Sequence, residues 1–355
     1  MRRQMMWIRV LTAAVLFVLL SKVNLWADTP AHLTLAVGYR ALLVLAPVFL
    51  AWGVGAGMKL SLTAAAVGLV WAFFSVNVGS MFLIALGMAV SGYLAKLISS
   101  QSSRGAADNK VSLNMGSLAS GALLLLISDQ APLMILLIAC VGVSLLLALR
   151  IDWSSGNECS TPVRIGVGKA TFQAGPMVGW ALIGLATGVK LTGVFTILPQ
   201  YLMAKTGALP SWFGIMVITN SVGVIVVQHR VMDWLDRSPP ARTFLTAGSA
   251  MILLALPAVF GVDRPLMALL WITLLTLGEC ALSRYDRLAQ GAGYLFTKEL
   301  MVGVGSLFTV LLSRSHALDA MWSGVLGTAA FVAGVAMISV RSLRHQCESK
   351  GTLSC

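Results

Sequence analysis

Apolar runs, each broken off by a short polar cluster, follow one another from one end of this chain to the other. A helix needs about 20 apolar residues to cross ~30 Å of hydrocarbon. Windows of that kind fall at 10–26, 33–52, 60–77, 79–98, 111–128 and 131–149, and again at 177–197, 212–229, 243–260, 265–283, 289–312 and 317–340. The pattern predicts an all-α membrane protein of twelve transmembrane helices in two sets of six. Its weakest division lies between the third and fourth windows, where only Asn77-Val78-Gly79-Ser80 intervenes. A looser division of the chain gives ten or eleven spans.

The longest internal polar stretch, Arg150 to Thr171, contains Ser154-Ser155-Gly156-Asn157 and separates the two sets. The chain therefore divides into an N-terminal six-helix bundle at 1–150, a cytoplasmic linker at 151–172, a C-terminal six-helix bundle at 173–341 and a tail at 342–355. A faint repeat supports the duplication. Gly116-Ser117-Leu118 in the fifth window recurs as Gly305-Ser306-Leu307 in the eleventh, and Gly38 in the second is matched by Gly214 in the eighth. Transporter folds are commonly built from such repeated halves.

Composition agrees with the windows: 58% of residues are hydrophobic and 11% charged, against roughly 25% charged in soluble domains. A net charge of +12 would suggest nucleic acid in a soluble chain. Here the cations cluster between apolar windows and report orientation instead, so nucleic-acid binding is set aside. With the N-terminus inside, eighteen Lys and Arg fall on the inner side, among them Arg2, Arg3, Arg9 and Arg150, and only Lys22, Lys205, Arg264 and Arg314 on the outer side. This asymmetry predicts both termini in the cytoplasm of a multi-pass cytoplasmic (inner) membrane protein. The run after Arg2-Arg3 continues through Val23 and Leu25 without a small-x-small cleavage site, so it is expected to stay as the first span. Cys140 and Cys280 lie in spans and Cys159, Cys347 and Cys355 in cytoplasmic segments, which predicts reduced thiols. No Cys/His spacing matches a metal site, and no cofactor is expected.

Three cations interrupt the apolar windows: Arg40, Lys190 and Lys298. A charged side chain at bilayer depth costs at least ~2.5–3.5 kcal/mol on insertion scales, so it faces a partner, a wet cavity or a ligand. The buried acids are Glu279 and Glu299, and two acids cannot neutralise three cations. The surplus points to an anion, with Arg40 offering a planar fork and the lysines mobile point charges. The alternative is a purely structural ion pairing. Lys298 and Glu299 are adjacent, about 100° apart on a helix, and are expected to face different surroundings. Burial favours the neutral form of a carboxylate, which makes Glu299, and after it Glu279, the proton-coupling candidates. Asn114, Gln200, Tyr201 and Asn220 are candidate substrate hydrogen-bonders, with helix–helix bonding the alternative for the two asparagines. Gly184 and Gly188 form a G-x-x-x-G pair suited to close helix packing.

Six plus six spans with a cytoplasmic linker resemble the major facilitator superfamily. The best local match runs through Leu198-Pro199-Gln200-Tyr201-Leu202, Gly214, Asn220 and Gln228 to Asp233-Trp234-Leu235-Asp236-Arg237, which looks like helices seven and eight of the efflux-type branch. The resemblance implies that helices 1, 4, 7 and 10 line a central cavity, helices 2, 5, 8 and 11 border it, and helices 3, 6, 9 and 12 support it. The buried charges fall in helices 2, 7, 10 and 11 on that scheme. The signature between helices two and three survives only as Gly53, Gly55, Gly57 and Lys59, without its acid. The Gly-Pro motif of antiporters is reduced to Gly116 and Gly121 without proline, which argues against antiport.

The function expected is secondary transport of a small anionic metabolite, outward, by alternating access, coupled to a proton or other ion, by a lipid-embedded monomer. A carboxylate siderophore would suit three cations. An exporter of amphipathic drugs is the near alternative. A membrane-embedded lipid-modifying enzyme is the remote one: His229 and Asp233 form H-x-x-x-D and His316 and Asp319 form H-x-x-D, but neither has acyltransferase spacing, and no G-x-S-x-G or H-E-x-x-H occurs.

Overall fold

In the computed structural model the two windows with the weakest boundary are separate helices. Ser75 closes the first, its N–H donating to the Trp71 carbonyl at 2.9 Å. Asn77 opens the second: its side-chain oxygen accepts from the Ser80 N–H, and the Asn77 N–H donates to Ser80 Oγ, each at 3.0 Å. This reciprocal capping box satisfies donors that a helix start leaves orphaned.

The structure describes residues 2–26, 29–36, 38–127, 129–153, 174–192, 211–237, 265–314 and 329–338. Among the described residues there are helices and turns and no strand. The helices are α1 (Arg2–Trp26), α2 (Thr29–Ala36), α3 (Gly38–Ala41), α4 (Ala46–Leu50), α5 (Val54–Phe74), α6 (Val78–Ser99), α7 (Ser103–Leu126), α8 (Gln130–Arg150), α9 (Ala174–Thr192), α10 (Ser211–Asp236), α11 (Pro265–Gly291), α12 (Leu295–Arg314) and α13 (Ala329–Ile338). Five helical stretches among them, at Arg3–Leu20, Leu33–Leu50, Val54–Phe74, Val78–Ser99 and Gln130–Arg150, are long and apolar enough to cross a membrane. The window at 243–260 lies outside the described residues.

Two compact units are present: Met1–Val163 with Val217–Arg237, and Arg164–Met216 with Ser238–Cys355. In the first, Val15, Leu19, Leu69, Met81, Ile84 and Leu137 of four helices share one buried core. The apolar residues on the far side of α8, such as Ile135 and Leu146, are exposed. A helix apolar all round with one face open belongs against lipid. The second window is not one regular helix: Leu42–Leu45 is a 3₁₀ turn between α3 and α4. Pro47 explains it, since a proline supplies no N–H and its ring clashes with the carbonyl four residues back.

The glycines of the degenerate signature have structural work. Gly53 has φ +89°, where a side chain is strained. A Cβ at Gly55 would lie 2.5 Å from Trp153 Cγ, and one at Gly57 would lie 2.8 Å from the Phe49 carbonyl oxygen. Trp153 is pinned there by its indole N–H, which donates to the Ala148 carbonyl at 3.0 Å.

In the second unit, α9 and α12 make the most extensive helix pairing among the described residues. A Cβ at Gly184 would run into the Lys298 carbonyl oxygen, one at Gly188 into that of Val302, and one at Gly305 into that of Leu185. Gly184 and Gly188 therefore serve close packing. Residues four apart on α9 meet residues four apart on α12, so the helices run parallel. The first unit repeats the arrangement: a Cβ at Gly116 of α7 would lie 2.6 Å from the Val10 carbonyl oxygen of α1. The two Gly-Ser-Leu tripeptides thus seat equivalent helix pairs.

Candidate functional site

The helix α11 runs eight residues past its expected end, to Gly291. It closes in a Schellman turn: the Tyr294 N–H donates to the Ala289 carbonyl at 2.8 Å and the Gly293 N–H to that of Gln290 at 3.1 Å, with Gly293 at φ +79°. The turn reverses the chain and lays the start of α12 beside the end of α11. Lys298 is the fourth residue of α12, about 4–5 Å along it, rather than deep in a span beginning at 289.

Lys298 is 1% exposed, and its ammonium is held by two carboxylates. Nζ donates to Asp286 Oδ1 of α11 in a very short contact and to Glu299 Oε1 at 3.2 Å. The neighbours expected to point apart are partners. Their Cα positions do diverge by about 100°, but the long stem of lysine bends its head back round the helix. Lys298 is shared by two carboxylates, and Asp286 is the residue that the sequence reading missed. Gly291 and Gly293, as helix-stop signals, carried the clue that Asp286 is still helical. Beside this triad, Tyr285 packs edge-on against Trp180 of α9 and Phe331 of α13, with centroids 6.3 and 5.4 Å away. Glu279 is buried two turns earlier on α11. Position 190 lies on α9 six residues, about 9 Å, beyond the level at which Gly184 meets Lys298.

In the first unit Arg40 is half-buried, its guanidinium carbon 5.5 Å from the centroid of the Tyr39 ring. That distance suits a cation–π contact. A second cation, counted above as an inner-surface charge, lies across that tyrosine. A Cβ at Gly92 of α6 would be 2.9 Å from Arg9 Nη1 and 3.8 Å from the Tyr39 hydroxyl. The missing side chain is what admits the Arg9 guanidinium to α6. Asn114 is buried and its amide donates to the Lys110 carbonyl at 3.0 Å, a bond within α7. Asn220 lies on a buried stripe of α10 with Val224, Gln228 and Met232, and Met232 packs on Ala106 and Ala107 of α7. His229 Nε2, on the same helix, is 3.3 Å from Asp108 Oδ1 of α7. Gln200, Tyr201 and His316 lie outside the described residues. No group of His, Cys, Asp and Glu suited to a metal ion occurs among the described residues.

Solved structures share this fold over nearly the whole chain. The Escherichia coli fucose:proton symporter aligns with a TM-score of 0.66 at 13% identity, covering 96% of this chain and 97% of its own. The human organic anion transporter MFSD10 aligns with a TM-score of 0.64 at 14% identity, over 95% and 99%. A bacterial homologue of the iron transporter ferroportin, in an outward-facing state, gives 0.69 at 12% identity, over 96% and 99%. At these identities the likeness is one of fold alone. No protein-family model matches the chain, and no curated protein matches its sequence.

Proposed function

We propose that this chain is a proton-coupled secondary transporter of a small organic anion, working in the cytoplasmic membrane by alternating access between two six-helix halves. Twelve spans, cytoplasmic termini and a monomer complete the reading, and the chain is a transporter and not an enzyme. The fold supports transport. The observation that carries the coupling is Lys298, buried between Asp286 and Glu299. A buried ammonium that loses its partners is costly, and one ammonium cannot fully satisfy two carboxylates. A proton on either acid weakens its hold on the ammonium, and its release restores it. The triad therefore has two charge states at one place, which is what coupling requires. Glu299 and Asp286 are the proton carriers in this scheme, with Glu279 in reserve on the same helix.

Arg40 and Lys190 are the cations assigned to substrate, and Asn114, Gln200, Tyr201 and Asn220 supply hydrogen bonds. Because Lys298 is already shared by two acids, a mono- or dicarboxylate suits the remaining charge better than a polycarboxylate siderophore does. Outward movement is favoured by the likeness of residues 198–237 to exporters. Comparative metabolite profiling of cells and medium, with and without the chain, tests substrate and direction together. Loss of one organic acid from the medium on deletion supports export, and impaired uptake of it reverses the direction. Arg40→Gln and Lys190→Gln are expected to abolish transport while leaving insertion intact. Normal transport by both rejects the cation assignment.

A further inference from the structure

The two carboxylates that hold Lys298 come from different helices, and that makes them unequal. Glu299 is its neighbour on α12, so that bond stays within one helix. Asp286 lies across the Schellman turn on α11, so its bond to the same ammonium ties two helices together. Both acids have further interactions, which leave unchanged which helices the ammonium joins. Backbone packing is uneven in the same sense. α12 is seated along α9, where Gly184 and Gly188 face carbonyls of α12 and Gly305 faces one of α9, and it approaches α11 far less. A seam of backbone against glycine leaves no room to slide, so α9 and α12 move as one body.

The helix α11 is held otherwise. Tyr285 keeps it against Trp180 of α9 and Phe331 of α13 through ring edges, on a face about 100° round the helix from Asp286. Gly293, at φ +79°, forms the turn beyond it. A carboxylate that takes up a proton loses its charge and weakens its hydrogen bond with an ammonium. On Asp286 that loosens the tie between α11 and α12, whereas on Glu299 it loosens a bond inside α12. We infer that Asp286 is the acid whose protonation frees the end of α11 from the α9–α12 pair, and that Glu299 is a positioning residue that keeps the ammonium in place on α12. The proton joins a carboxylate oxygen of Asp286 and later leaves it, and no other covalent bond is made or broken. The remaining charged or titratable residues on these helices are Glu279, Cys280, Arg284 and Arg287 of α11, Tyr294 in the turn, Arg314 at the far end of α12 and Lys190 of α9; the described part of α13 has none. This division of roles rests on the coupling reading and says, beyond it, which acid acts and which helix responds.

Hydrogen–deuterium exchange of the full chain in lipid nanodiscs, read by mass spectrometry against pH and corrected for the intrinsic pH dependence of amide exchange, tests it without a substrate. In the unmodified chain, acidification is expected to speed exchange in segment 284–293 about tenfold or more, because a hydrogen bond to a charged group is what weakens, and to leave 298–306 nearly unchanged. That measurement depends on no variant folding. Asp286→Asn is expected to exchange fast in 284–293 at every pH, with the acid response gone, and Glu299→Gln to keep that response. An acid response absent from the unmodified chain, retained in Asp286→Asn or lost in Glu299→Gln overturns the assignment. Each of these outcomes leaves the coupling reading standing, because that reading is judged separately, by proton flux.

Discussion

The α1–α7 pair of the first unit and the α9–α12 pair of the second share one seam and fill it differently. Gly116 meets the Val10 carbonyl in one and Gly305 the Leu185 carbonyl in the other. Aligned on those contacts, Arg9 stands opposite Gly184, Asn109 opposite Lys298, and Lys110 opposite Glu299. The level that carries Lys298 and Glu299 on α12 in the second unit carries Arg9 on α1 and Lys110 on α7 in the first. Both pairs keep the close backbone contact at a glycine, while the charges at that level differ. In the second unit Lys298 is locked between two carboxylates, whereas in the first Arg9 lies against a glycine.

The largest effect should come from the locked cation. Lys298→Met leaves two carboxylates facing each other without their ammonium, and is expected to cost about 3–5 kcal/mol, read as a collapse of the melting temperature in detergent. Adding Asp286→Asn and Glu299→Gln removes the stranded charge and should restore most of that stability. A triple variant no more stable than Lys298→Met would show that the lysine acts by packing alone. Next come the seams. Gly305→Ala forces a methyl group against a backbone carbonyl and is expected to cost about 1–3 kcal/mol. Gly116→Ala should cost somewhat less, because the added Cβ would lie 2.6 Å from the Val10 carbonyl oxygen, whereas one at Gly305 would come closer still to that of Leu185. Equal melting shifts for the two would erase the asymmetry between the units. The smallest effect is outside the comparison: Asn77→Ala removes the cap of α6 and should cost ~1 kcal/mol.

Much of this was legible along the chain because hydropathy over about 20 residues reports burial in lipid directly. The helices Val54–Phe74, Val78–Ser99 and Gln130–Arg150 are of that kind. Helix ends were not, because a window measures where the chain is apolar and a helix continues wherever its backbone bonds do. The segment from Arg284 to Gly291 is polar and still helical, so Asp286 fell outside a window that ended at 283. Arg9 was read as a surface charge for a related reason: nothing local to α1 announces that Gly92, 83 positions away in sequence, clears a place for it. The pairing of Lys298 with Glu299 required side-chain reach as well as helix angles. The identities of the buried charges could be read; their partners depended on the fold.

The central claim, that the Lys298–Asp286–Glu299 triad carries the coupling proton, is tested most directly by proton flux in proteoliposomes loaded with a pH-sensitive dye. The organic acid identified by profiling is added outside, to the unmodified chain and to the Asp286→Asn, Glu299→Gln double variant. The account predicts substrate-driven proton flux in the former and none in the latter, with substrate exchange persisting in both. Undiminished proton flux in the double variant contradicts it.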